Sequence, residues 1–158
     1  MLRGRLQVLN PQRTAVIRSV TRPGVLVDEN ELQVSGLLPD CFHLQWTGDV
    51  AVAAGALPLV TMTCQVSYVT AGSPVHGGMD RGRALAAMDA ELLVAVTLAP
   101  QNAAKNNYSG LVNGSLAMAM GTRIWWGAVV FESAKVERER MGRVATIAVM
   151  SYEEAGEL

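Results

Sequence analysis

Charged side chains are scarce in this chain. Asp, Glu, Lys and Arg make up 17% of its 158 residues, against a usual share of about a quarter in soluble domains. The 13 basic residues nearly cancel the 14 acidic ones, leaving a net charge of -1. That balance gives no electrostatic argument for nucleic acid or an anionic membrane as the main partner. The scarcity is also uneven. Asp49 is the only charged residue between Cys41 and Met79, and Lys105 the only one between Leu92 and Thr122. Long apolar runs are missing too: Pro58, Gln65 and scattered glycines and asparagines interrupt every window short of the roughly 18 to 20 residues that a membrane helix needs. The N-terminus lacks the apolar stretch of a signal peptide. Two cysteines are too few for a disulfide scaffold, so a reducing compartment such as the cytoplasm is expected.

What remains is a chain that is 50% hydrophobic and has little charge with which to cover itself. Large uncharged stretches in a chain without membrane spans point to surface buried against other subunits, a contact rather than a pocket. The length suits one domain over residues 1–158.

Residues 10–24, "NPQRTAVIRSVTRPG", carry helix punctuation: Asn10 as N-cap, Pro11 at the first helical position and Pro23-Gly24 as the stop. This predicts a short helix. A brief strand is expected at Val25–Val27 or Leu32–Val34, with the acidic "DENE" between them as a turn. After Pro39 the pattern alternates, with Phe42, Leu44 and Trp46 on one face of a strand and His43, Gln45 and Thr47 on the other. A Gly/Ala loop from Gly48 to Ala56 leads to "LVTMTCQVSY", in which Val60, Met62, Cys64, Val66 and Tyr68 share a face.

The stretch "GGMDRGRALAAMDAELLVAV", residues 77–96, predicts the helix that covers those strands, with Asp80 as its N-cap. Leu85, Met88, Leu92 and Val96 form its apolar stripe, Ala84, Ala87 and Ala95 a small-residue flank, and Arg83 and Glu91 point away. The following "APQNAAKNNYSGLVNGSLAMAMGT" has no convincing period and reads as a long loop, which in a compact domain is usually functional. Two strands, "RIWWGAVVF" and "VATIAVMSY", close the chain around the charged turn "VERERMGR". The last is apolar on both faces, as a central strand is, and "EEAGEL" is an acidic tail. The expected class is α+β: a mostly antiparallel sheet packed by a central amphipathic helix, with a short N-terminal helix and a long interface loop.

No residues mark a reaction. Cys41, His43, Cys64 and His76 match no zinc spacing, and no phosphate loop, dinucleotide fingerprint or nucleophile elbow is present. Asp80, Asp89 and Glu91 share a helix but do not converge as an acid/base constellation must. No catalytic, cofactor-binding or metal residue is therefore assigned, and no cofactor is expected.

The residues that stand out are candidates for contact. Asp89 lies inside the apolar stripe, where an unpaired charge costs several kcal/mol. Its partner could be Arg81 two turns back, Arg123 or a hairpin arginine, within the subunit or across a boundary. Trp125 and Trp126 face opposite sides of their strand, and an exposed tryptophan suits an interface anchor. The subunit-interface candidates are Arg81, Asp89, Glu91, Lys105, Tyr108, Arg123, Trp125, Arg138 and Arg140.

The order of elements, together with "LPDCFHLQW", "DRGRALAAMDAEL", "IWWG" and "SYEEAGE", resembles the tail terminator proteins of long-tailed bacteriophages and related tail-like particles, from Leu38 onward. That resemblance implies a ring of six subunits on the head-proximal end of a tail tube, which ends tube polymerisation and joins the tail to the head or neck. The implied partners are further copies of the chain, the tube protein and a neck or connector protein, without membrane or sequence-specific nucleic acid. The implied location is the virion tail, after assembly in the host cytoplasm. A head-tail connector or adaptor ring, a small enzyme and a monomeric binding module are the alternatives.

Overall fold

The α+β class is realised as one curled, mostly antiparallel sheet with two helices on its inner face. The computed structural model describes residues 1–27, 36–52, 58–107 and 118–154. The sheet runs in the order β3 (Val25–Val27), β4 (Phe42–Val52), β5 (Leu59–Thr70), β9 (Arg140–Tyr152), β7 (Met118–Phe131) and β6 (Asn102–Asn107), with β8 (Lys135–Glu137) pairing beside β9. Among the described strands β3–β4 is the one parallel pair. Strand β9 is central, as its two apolar faces predict.

Alternation dictates the core. Cys64, Val66, Tyr68 and Thr70 of β5 are buried, and so are Ala145, Ile147, Val149 and Ser151 of β9. Helix α2 (Arg81–Thr97) lays Leu85, Met88, Leu92, Ala95 and Val96 on this face, so the predicted stripe is the buried one. Asp80 stands at the N-cap position, but its Oδ1 accepts from Ser73 N at 2.8 Å instead of capping the helix. Helix α1 (Leu2–Leu9) adds Leu6 to the core. Arg5 secures it by donating to the carbonyls of Ala95 and Pro100, with its guanidinium over the Trp126 ring.

Three expectations are corrected. The loop expected from Gly48 is strand as far as Val52, because β4 resumes its pairing with β5 after an irregularity at Gly48, setting Asp49 opposite Met62 and Val52 opposite Leu59. The helix expected over 10–24 is absent: Asn10 closes α1, its N–H bonded to Leu6 O, and the chain then forms a ribbon of β1 (Thr14–Ile17) and β2 (Val20–Pro23). Thr14, Val16, Ile17, Val20 and Thr21 are β-branched and favour extended backbone, which outweighs the Pro and Gly punctuation. The loop expected after Ala99 is in part sheet, because Asn102–Asn107 pair with β7, which itself begins at Met118. Alanine and asparagine have low strand propensity, and here the ready partner edge decides. The rest of that loop, with Tyr108, and the "DENE" turn lie outside the described residues.

Gly142 sits where β9 crosses β5 closely. A Cβ there would lie 2.7 Å from Val69 Cγ1 and 3.0 Å from the Tyr68 carbonyl oxygen. Gly142→Ala is expected to cost about 1–3 kcal/mol through overpacking, measured by urea unfolding. A loss below about 0.5 kcal/mol would show that the two strands can part without penalty.

Candidate subunit interface

Asp89 is paired inside its own chain. Tyr68 and Arg143 are directly opposite each other on β5 and β9, and both reach up to the helix. The Tyr68 hydroxyl donates a short hydrogen bond to Asp89 Oδ1, and Arg143 Nε lies 3.3 Å from the same oxygen as an ion pair. Arg143 also donates to Glu132 O at 3.0 Å and stands over the Phe131 ring. Burial, reinforced by the hydrogen bond to Asp89, pushes the Tyr68 phenol well above its ordinary range. The arrangement fixes the register of α2 on the sheet.

Glu91 does not face solvent as its position opposite the stripe predicts. It accepts from Asn10 Nδ2 at 2.9 Å and from Arg13 at 3.1 and 2.8 Å, while Arg13 also donates to Asp40 O at 2.7 Å. The start of the ribbon is thereby tied to the middle of α2. Lys105 is buried, with Nζ donating to Tyr152 O at 2.6 Å. Arg123 donates to Asn102 Oδ1 at 2.8 Å and Arg140 to Leu37 O at 3.3 Å. Arg81 packs beside Gly78, and Arg143 is the arginine that pairs with Asp89. Arg138 occupies the tight turn between β8 and β9 with φ 54°. Trp126 faces the core and donates to Val96 O at 2.9 Å, whereas Trp125 lies on the outer sheet face, edge-on to Tyr152 at 5.9 Å.

Glu154 of the acidic tail is also used. Its carboxylate accepts from the Thr122 hydroxyl, from Thr122 N at 2.6 Å and from Gly121 N at 3.2 Å. The Thr122 hydrogen bonds, with smaller help from Gly121 and the Lys105 charge, hold its pKa below the ordinary carboxyl range. A carboxyl depressed by folding stabilises above its unfolded pKa of about 4.3 and loses that contribution as pH falls through the folded value. Amide exchange at Gly121 and Thr122, corrected for intrinsic rate, is therefore expected to speed up below about pH 4, and Glu154→Ala to abolish that pH dependence. Identical profiles in the two proteins would refute the clamp.

The four residues once conceivable as zinc ligands do not form a centre. Among the described residues no group of three or more His, Cys, Asp or Glu could hold a metal ion. Cys41 and Cys64 are buried free thiols, and burial pushes the Cys41 thiol up. The His43 ring accepts from Leu38 N at 3.1 Å, and His76 sits on an exposed turn before α2. No helix among the described residues is long and apolar enough to cross a membrane.

The charged candidates are thus largely occupied within the chain, and two uncharged surfaces stand out instead. Beyond Arg83, which is exposed in its first turn, the solvent side of α2 presents Ala86, Ala87, Ala90, Leu93, Val94, Thr97 and Leu98, all exposed and none charged. Leu93 and Val94 are each 45% exposed. The second surface is the outer sheet face, where strand register aligns Gln45, Gln65, Thr146 and Val130 in one row and Thr61, Met150 and Trp125 in another. Both helices lie on the opposite face. The place of Leu93 and Val94 between stripe positions is a signal already present in the sequence: a helix apolar on most of its circumference belongs in a buried setting.

Comparison with known proteins finds no family model that matches this chain and no curated protein that matches its sequence.

Proposed function

We propose that this chain is a structural subunit of a phage-like tail, closing with further copies into a ring that caps the head-proximal end of the tail tube and joins it to the head or neck. The observation that carries the reading is the uncharged outer side of α2. Burying a leucine or valine side chain fully contributes about 1.5–3 kcal/mol, so Leu93, Val94 and Leu98, each about half exposed, together leave several kcal/mol to be gained by a contact. The alanines beside them let a partner approach closely.

A ring needs two different complementary patches on each subunit. The α2 side and the outer sheet face lie on opposite sides of one sheet, which supports contacts in more than one direction: copies on one side, tube or neck on the other. The tail-terminator resemblance in the sequence makes six the expected number. The test is localisation. An antibody to this chain, applied to particles from cells that carry its gene, should decorate the head-proximal end of each tail. Decoration along the tube, at the distal tip, or absent from intact particles would overturn the reading.

A further inference from the structure

Strand β7 is longer than the pairing β9 gives it. The β7–β9 ladder starts at Ile124, opposite Ser151, so the stretch from Met118 to Arg123 runs past the end of β9 with β6 at its side. The β6–β7 ladder is itself irregular there. Ala104 faces Arg123 and Asn106 faces Ala119, which sets Met120, Gly121 and Thr122 against the single residue Lys105. The extra residues of a bulge drop out of the ladder, and the amides of Gly121 and Thr122 are free to turn to something else.

They turn to one carboxylate. Oε1 of Glu154 accepts from Thr122 N at 2.6 Å and from the Thr122 hydroxyl, while Oε2 accepts from Gly121 N at 3.2 Å. Successive amides aimed at one point make an anion-binding concavity. Lys105 completes it: the residue is 8% exposed, its Nζ donates to Tyr152 O at 2.6 Å, and its charge acts on the Glu154 carboxyl. A desolvated ammonium favours an anion beside it.

The donors all belong to β6 and β7, whereas the acid comes from the tail beyond β9. That tail lies at the surface. Glu153 and Glu154 are both partly exposed, and the Glu153 amide donates to Pro58 O at 3.1 Å. Water competes for polar contacts in such a place, so each contributes little net free energy. The resident carboxylate can therefore be exchanged without disturbing the core.

We infer that the β7 bulge is a binding site for the carboxylate of an acidic peptide segment, with Glu154 as its displaceable resident. The geometry sets the class of ligand. Both oxygens of one group are engaged by donors at once, so an amide in the same place would turn its NH₂ group against a backbone N–H. A Glu- or Asp-bearing segment of a partner would take over the two amides and the Thr122 hydroxyl and release the tail. The site is complete within one chain and does not depend on the ring reading.

The probe is an acetylated and amidated peptide of residues 151–156, SYEEAG, added to the isotope-labelled full chain carrying Glu154→Ala. The amide resonances of Gly121 and Thr122 should move saturably. Wild type should need at least about tenfold more peptide, because its own carboxylate competes at high effective concentration. The peptide SYQQAG should bind Glu154→Ala at least about tenfold more weakly, since a charged acceptor makes the stronger bond, and adding Thr122→Val should weaken SYEEAG as well. No movement of the two amides up to about 10 mM peptide overturns the inference. So does equal binding to wild type and variant, or equal binding of the two peptides. Circular dichroism checks that Glu154→Ala is folded; if it is not, Glu154→Gln replaces it with the same expectations.

Discussion

Asp89→Ala is expected to lower the stability of the chain by about 2–4 kcal/mol. Removing one partner of a fully buried ion pair costs about 3–5 kcal/mol; the Arg143 and Asp89 side chains retain 23% and 21% exposure, which lets water soften the loss. The Tyr68 hydroxyl would lose its acceptor as well, and Tyr68 is fully buried; an orphaned buried donor costs about 1–3 kcal/mol. For a domain of this size the midpoint of thermal unfolding should fall by roughly 5–15 °C. Tyr68→Phe should cost less, because Arg143 keeps its carboxylate. Since the pairing is intramolecular, the assembly state of folded Asp89→Ala should match wild type. Equal stability of Asp89→Ala and wild type would show that the triad does not hold the helix.

The second large effect falls on assembly and spares folding. Leu93→Glu with Val94→Glu places two carboxylates in the middle of the uncharged α2 side. Both positions are already half exposed in the subunit, so its own unfolding free energy should change by no more than about 0.5 kcal/mol per site. A contact formed over them would have to bury two unpaired charges, several kcal/mol each, and assembly should be lost at micromolar concentration. Sedimentation velocity read beside circular dichroism separates the two effects. A double variant that assembles like wild type would remove α2 from the interface.

The two variants divide along the line between what the sequence discloses and what it conceals. The alternation of "LVTMTCQVSY" and the stripe of Leu85, Met88, Leu92 and Val96 were legible because period and burial coincide in both. Asp89 in the stripe announced that a partner was required. Its identity depended on the β5–β9 register, which sets Arg143 opposite Tyr68. A trace of that was present in the sequence: Arg143 is in phase with Ala145, Ile147 and Val149, the inward face of the last strand. The ribbon is hidden in the sequence because Asn10, Pro11 and Gly24 have the form of helix punctuation, while the β-branched residues between them decide the backbone. The helical period sets Glu91 away from the stripe, but only the tertiary fold brings Asn10 and Arg13 over it. The strand Asn102–Asn107 had almost no local signal, since its pairing is supplied by β7. The charge-poor stretches overlap the exposed uncharged surfaces only in part, since Ala86, Ala87 and Ala90 lie between them; which residues stay uncovered is a property of the packed chain.

The most direct test of self-assembly is the native mass spectrum of the wild-type chain across a range of concentration and salt. A single closed species of six subunits that persists on dilution and is insensitive to salt is the expected result, because the contact surface is uncharged. Another closed number would keep the ring and shift its assignment to a connector or adaptor. A monomer at every concentration would contradict self-assembly and leave the α2 side without the partner argued for it.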